Sequence, residues 1–194
     1  MRKIILSALT VVFFAVQAEA AEYQIDADHS QVGFRIKPLA ISTVPGRFTR
    51  FSGTFKFDPD RIESSSAEAR ISIESINTDN SKRDDHLRNP DFFDAARFPE
   101  MLFKTSRVEA DGKDSFLAHG VLTIRNIAKP VTLKVTHLGA VKDPWGKERA
   151  AFSASTRINR KDFGLTWNKA LETGGLVVGE DVEIQIDIQG IKQN

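Results

Sequence analysis

The sequence predicts an all-β fold of about eight antiparallel strands, arranged as a sandwich or as a closed barrel. Most of the chain alternates apolar and polar residues with a period of two, which indicates strands with one buried face. Turn signals separate these stretches at short intervals, as in other all-β domains. Because no stretch has the pattern of a long helix, the buried faces must pack together or close around an interior. Alternation alone does not distinguish the two architectures.

The first half of the chain predicts three strands, over residues 31–37, 48–57 and 67–73. In the second of them Phe48 falls on the opposite parity from Phe51, Phe55 and Phe57. A bulge or a strong twist near Arg50 would bring all four rings to one face.

The second half of the chain predicts five more strands, over residues 102–108, 116–124, 131–137, 152–158 and 182–188. Asp111-Gly112 between the first two is a strong hairpin signal, and 143–146 (Asp-Pro-Trp-Gly) is typical of a turn. Pro130 stands at the first position of its strand, where the missing N–H is tolerated. The last strand has the clearest alternation.

The first 20 residues have the features of a signal peptide. Arg2 and Lys3 precede an apolar run over residues 4–16, and Ala18-Glu19-Ala20 matches a small-x-small cleavage site. The run is shorter than the roughly 20 residues that span a bilayer. We therefore expect residues 1–20 to be removed, residues 21–194 to form one domain, and the protein to be secreted.

Composition excludes several classes of function. Removing Arg2, Lys3 and Glu19 from the 27 basic and 26 acidic residues leaves 25 of each, so the net charge argues against a nucleic-acid partner and against an electrostatically bound membrane surface. The absence of cysteine excludes disulfides, thiol redox chemistry and thiolate metal sites. No nucleotide-binding, zinc-protease or serine-hydrolase motif is present.

One stretch, residues 75–99, interrupts the alternation and predicts a short helical insert after the third strand. Ser81 with Asp84 fits a capping box, and Asn89-Pro90 fits the start of a second helical turn. Charged residues crowd the first part and aromatic residues the second. An insert of this kind in an all-β chain is typical of a lid or a binding mouth.

Nine phrases in order carry a resemblance to a known family: Asp28-His29-Ser30, Gly46-x-Phe48-x-x-Phe51-x-Gly53, 75–78, 83–94, 120–124, 129–133, 143–146, 159–164 and Val178-Gly179. Together they resemble the YceI-like family of polyisoprenoid-binding periplasmic proteins over nearly all of residues 21–194. The resemblance implies an eight-stranded antiparallel, lipocalin-like barrel with an elongated apolar pore. It also implies an isoprenoid ligand with a quinone-type or polyprenyl tail.

The candidate site residues form two groups. The aromatic and aliphatic residues expected to line the pore are Phe34, Ile36, Phe48, Phe55, Phe92, Phe93, Phe98, Phe152, Phe163, Leu165 and Trp167. The residues expected at the pore mouth, facing a polar head group, are Arg83, His86 and Arg88. Each apolar residue could equally belong to an ordinary packed core. Arg88 could instead pair with Asp84 at the i,i+4 spacing of a helix.

The hypothesis is a lipid carrier without catalytic residues, metal or cofactor, whose partner is a small lipid. Transient membrane contact and a homodimer are left open. The alternative is a secreted hydrolase or metal-dependent enzyme that uses Asp84, Asp85 and His86, which crowd one loop. A third reading is an interaction protein whose cavity has no ligand.

Overall fold

A computed structural model describes residues 20–38, 42–169 and 178–193. The predicted signal peptide therefore lies outside the described residues, apart from Ala20. The strands and the helix, in chain order, are β1 (Ala21–Ile25), β2 (Gln31–Pro38), β3 (Val44–Phe48), β4 (Phe51–Phe57), β5 (Ser66–Ser72), β6 (Ile76–Asn77), α1 (Ser81–Arg88), β7 (Glu100–Ala110), β8 (Ser115–Ile124), β9 (Ile127–Lys142), β10 (Glu148–Asn159) and β11 (Val178–Lys192).

The strands close into an antiparallel barrel with eight positions. Three positions are each filled by two short strands: β1 with β2, β3 with β4, and β5 with β6. β1 and β2 both pair with β11, as Tyr23↔Lys192 and Ile36↔Val182 show. The pairing of β1 with β11 completes the ring. The structure therefore confirms the eight-stranded barrel and excludes the sandwich.

The break between β3 and β4 lies where the parity of the phenylalanines changes. Thr49 and Arg50 leave the strand pairing, and the amide of Ser72 donates to the Arg50 carbonyl at 2.9 Å. Phe48 and Phe55 are consequently both buried inside the barrel. The irregularity predicted near Arg50 is thus a full interruption of the strand.

The short helical insert after the third barrel position is confirmed, but its details differ from the prediction. The N-cap of α1 is Asn80, whose side chain accepts from the amide of Arg83 at 3.1 Å, and Ser81 is already helical. Asn89-Pro90 begins a hydrogen-bonded turn, in which the amide of Phe92 donates to the Asn89 carbonyl at 3.0 Å, and it does not extend into a helix. The amides of Phe93 and Ala95 donate back to carbonyls of α1, which folds this segment against the helix.

The interior is packed at one barrel end and covered at the other. We call the packed end the floor; Tyr23 stacks on Phe55 at 4.9 Å there, and Phe152 meets Phe57 edge-on at 4.9 Å. We call the covered end the mouth, and residues 78–98, which lie over it, the lid. Residues 159–169, which we call the rim segment, follow β10 at the mouth.

Candidate ligand-binding cavity and its lid

A cavity of about 480 Å³ lies between the floor and the lid. This volume falls within the ~300–1,000 Å³ typical of ligand pockets. Its wall is formed by inward side chains of the barrel strands, and ten of the twelve phenylalanines beyond residue 20 border it. A barrel of eight strands is just wide enough to hold one small ligand. The cavity is therefore apolar and aromatic.

Nine of the eleven residues predicted to line the pore border the cavity: Phe34, Ile36, Phe48, Phe55, Phe92, Phe93, Phe152, Leu165 and Trp167. They come from strands on opposite sides of the barrel, from the lid and from the rim segment. Phe51, Phe57, Phe103 and Phe116 also border it and were not among the predicted residues. Their inward parity was visible in the sequence, but parity does not show which inward residues reach open space.

Phe98 and Phe163 were predicted to line the pore and do not. Phe98 lies under the guanidinium groups of Arg97 and Arg125, whose carbon atoms are 5.1 and 5.8 Å from the ring centre. Phe163, within the rim segment, is only 1% exposed, because it packs into the apolar cluster of the mouth. Both residues support the cover of the cavity instead of its wall.

Arg88 was predicted to face a head group, but its side chain turns away from the cavity. Its Nε donates to the Glu74 carbonyl at 3.1 Å, and its Nη2 donates to the Ile76 carbonyl at 3.1 Å. Its ion pairs are with Asp85 at 2.9 Å and Glu74 at 3.7 Å, instead of with Asp84 as the helical spacing suggested. Arg88 therefore fastens α1 to the barrel rim.

Asp84 fixes the start of the lid. Its carboxylate is buried and its Oδ1 accepts from the amide of Thr78 at 2.9 Å and from the Thr78 hydroxyl at 2.5 Å. These bonds join the first turn of α1 to the end of β6. Because these two local donors satisfy the buried carboxylate, Asp84 has a structural role.

Arg83 borders the cavity beside Thr78. Its Nε donates to Thr78 Oγ1 and its Nη2 to the Thr78 carbonyl, both at 2.8 Å. Nη1 makes no hydrogen bond or ion pair with the residues that the structure describes. Arg83 thus holds a fixed orientation while its Nη1 stays available to donate to an acceptor at the mouth.

His86 links the lid to the opposite side of the mouth. Its ring meets Trp167 edge-on at 4.8 Å and Phe92 at 5.0 Å. Its Nε2 lies 3.1 Å from Asp91 Oδ2. Because all three rings border the cavity, the lid and the rim segment meet directly above it.

Two arginines that were not among the predicted site residues hold the lid and the rim segment in place. Arg125 Nη1 donates to the carbonyls of Phe92 and Gly164, both at 2.9 Å, and so joins the lid to the rim segment. Arg125 and Asn126 have φ values of 52° and 58°, a left-handed pair typical of a two-residue hairpin turn. A turn signal in the sequence could have located the arginine at the mouth, but not its two acceptors.

Arg160 is the second missed arginine, and it is only 3% exposed although it borders the cavity. Its Nε donates to the Gly179 carbonyl at 2.8 Å, and Nη1 donates to the Leu165 carbonyl. Burial lowers the pKa of its guanidinium from the ordinary value. Carbonyl dipoles thus replace a carboxylate as partners of the charge and tie the rim segment to β11.

The residues of the enzyme alternative do not converge on one point. Asp84 is bound to Thr78, Asp85 to Arg88, and His86 to Asp91. Within residues 20–38, 42–169 and 178–193, no three His, Asp or Glu side chains are grouped as a metal site requires. The same described ranges contain no helix long and apolar enough to cross a membrane.

Comparison with known sequences connects the chain to one family. Residues 23–190 match the profile of the family described as YceI-like domain. A UPF0312 protein of Pseudomonas paraeruginosa is 37% identical over 198 residues, covering 100% of both chains. Protein YceI of Salmonella newport is 36% identical over 186 residues, covering 95% of this chain and 94% of its own.

Solved structures show the same barrel. BcnA of Burkholderia cenocepacia superposes with a TM-score of 0.76 at 25% identity, over 85% of this chain and 98% of its own. A YCEI protein of Campylobacter jejuni gives 0.70 at 29% identity, over 100% of both chains. A domain of Saccharophagus degradans described as polyisoprenoid-binding gives 0.64 at 17% identity, over 90% of this chain and 100% of its own, a likeness of fold alone.

Proposed function

The chain belongs to the YceI-like family, and from this premise we propose that it is a periplasmic carrier that holds an isoprenoid lipid inside its barrel. One observation carries the proposal: a cavity of about 480 Å³ that ten phenylalanines border and that a lid covers. The polyisoprenoid-binding description of the Saccharophagus degradans domain supports the choice of ligand class.

The energetics favour a long apolar tail. Each buried methylene contributes about 0.8 kcal/mol, so a unit of about five carbons contributes roughly 4 kcal/mol before costs. Immobilising a ligand costs from about 4 kcal/mol upward. Two or three buried units therefore exceed that cost, and affinity should rise with tail length until the cavity is full.

The polar groups at the mouth favour a head group that accepts hydrogen bonds. Arg83 presents its free Nη1 there, and the rings of His86 and Trp167 lie beside it. Quinone carbonyls and phosphate oxygens are both acceptors of this kind. The tail enters the barrel by partition, and the head group stays below the lid.

Native mass spectrometry of protein purified gently from the periplasm tests the proposal. We expect a mass increment of a prenyl lipid that disappears on delipidation and returns when the lipid is added. Protein found in the cytoplasm would refute the location, and a delipidated protein that takes up no prenyl lipid would refute the carrier.

Two alanines on β10 provide a matched pair of variants. Ala154 borders the cavity, whereas Ala151 lies on the opposite parity of the same strand. Ala154→Phe should abolish uptake by filling the cavity, while Ala151→Phe should leave uptake intact. The hydrolase built on Asp84, Asp85 and His86 remains the weaker proposal, because the three side chains bind different partners.

A further inference from the structure

The hairpin between β9 and β10 carries an unusual concentration of exposed apolar side chains. Trp145 is 81% exposed, Val141 64% and Leu138 60%, and these are the three most exposed large apolar residues that the structure describes. All three lie within eight consecutive residues. We call this surface, with Lys142 and Lys147, the Trp145 tip.

The Trp145 tip is held in a fixed shape. Asp143 Oδ1 accepts from the amides of Trp145 and Lys147 at 3.0 and 2.9 Å. Arg149 Nε donates to Asp143 Oδ2 at 2.9 Å, and the Gly146 amide donates to the Asp143 carbonyl at 2.9 Å. The turn therefore presents the largely exposed indole on an ordered support.

The Trp145 tip keeps a net positive charge once the ion pairs around it are counted. Arg149 pairs with both Asp143 and Asp26, and Lys192 pairs with Glu148, so these five groups together carry one negative charge. Lys142 and Lys147 make no ion pair within the parts of the chain that the structure describes. The neighbouring turn between β7 and β8 adds Asp111, Lys113 and Asp114. Asp111 pairs with Lys134 at 3.8 Å, and the other two are one charge of each sign, so the balance is unchanged.

A convex tip of this composition matches the surface of an anionic bilayer. Tryptophan is enriched at the level of the lipid head groups, where its ring is apolar and its N–H finds acceptors. Lysines beside it are attracted to anionic lipids. A protein partner would need a concave groove of matching shape, whereas a bilayer interface accommodates a protruding hairpin. Because β9 runs from the mouth to Lys142, the tip lies at the barrel end opposite the lid.

We propose that the Trp145 tip docks the protein on anionic membrane surfaces by inserting its indole among the lipid head groups. Docking at this end leaves the mouth unobstructed for exchange of a ligand. The inference does not depend on the proposed cargo, because the tip and the cavity share no residue.

Tryptophan fluorescence tests the proposal, because the chain has only two tryptophans. A Trp167→Phe background leaves Trp145 as the only emitter. With delipidated residues 21–194 and vesicles of phosphatidylethanolamine and phosphatidylglycerol, we expect a blue shift and quenching by brominated lipids. Phosphatidylcholine vesicles and high salt should weaken the effect, because the lysine contribution is electrostatic.

Vesicle sedimentation of variants measures how much Trp145 and each lysine contribute to membrane binding. Trp145→Ser should weaken binding about tenfold, and each of Lys142→Gln and Lys147→Gln about fivefold on anionic vesicles. Val121→Ser, an exposed apolar residue on β8, is the matched control and should change nothing. Failure to bind, or binding while Trp145 stays solvated, would overturn the proposal. If the protein docked through its lid instead, it would bind vesicles while Trp145 stayed solvated.

Discussion

Arg125 should control how readily the cavity opens. Its guanidinium joins the lid to the rim segment through the carbonyls of Phe92 and Gly164. A hydrogen bond from a charged donor contributes about 1.5–3 kcal/mol. Because Arg125 is only half-buried, the lower end of this range applies to its two hydrogen bonds together. Arg125→Met should therefore favour lid opening by about 2 kcal/mol, or about thirtyfold.

Hydrogen exchange measures this opening directly. The amides of Phe93 and Ala95 are bonded to carbonyls of α1 and should exchange about thirtyfold faster in Arg125→Met. Amides of β10 should be unaffected, because the barrel pairing does not involve the guanidinium. Release of a bound prenyl lipid should accelerate in parallel.

Arg97→Met is the control for Arg125→Met. Arg97 also lies against Phe98, but its side chain is exposed and its contact with the buried Asp94 is long, at 3.4 Å. An ion pair with one exposed partner at this distance contributes about 1 kcal/mol, so lid exchange should change about fivefold, well below the effect of Arg125→Met. Equal exchange in the Arg125 variant and the wild type would show that the lid is held by other contacts, and the reasoning would fail.

Three further predictions concern stability. Arg149 donates to Asp26 at 2.5 Å and holds the pKa of that carboxyl below its usual 3.8. The stability that this pair contributes is therefore complete above the pKa of the unfolded chain and is lost as pH falls through the folded pKa. The unfolding free energy should drop below about pH 4, and it should drop less steeply in Arg149→Met. His137 Nε2 is buried without a partner among the described residues, so His137→Phe should raise the unfolding free energy by about 1 kcal/mol in urea titrations, and a loss would contradict this. Asp84→Ala leaves the Thr78 amide unpaired and should cost about 2 kcal/mol in the same titration, whereas an unchanged midpoint would refute its anchoring role.

The barrel could be predicted well because strand parity is a local property. Phe34, Phe55 and Phe152 alternate with polar neighbours, and one buried face suffices to place them inside. The family resemblance then distinguished a barrel from a sandwich. Alternation also located the interruption near Arg50, because Phe48 had to change parity to reach the interior.

The position of the lid in the chain could be predicted from the sequence, but its contacts could not. α1 has a single apolar residue, Leu87, so its periodicity is a weak guide to the face that meets the barrel. Arg83 and Arg88 looked equivalent, yet Arg83 borders the cavity and Arg88 binds carbonyls of the rim. The bonds of Arg125 and Arg160 join residues far apart in sequence, and only the closed barrel brings them together.

Uptake of prenyl lipids of increasing tail length tests the central claim most directly. Delipidated wild type and Ala151→Phe should bind more tightly with each added isoprene unit until the cavity is full. Ala154→Phe should bind none of them, while keeping the folded barrel by circular dichroism. Equal binding of short and long tails, or undiminished uptake by Ala154→Phe, would show that the lipid does not lie inside the barrel.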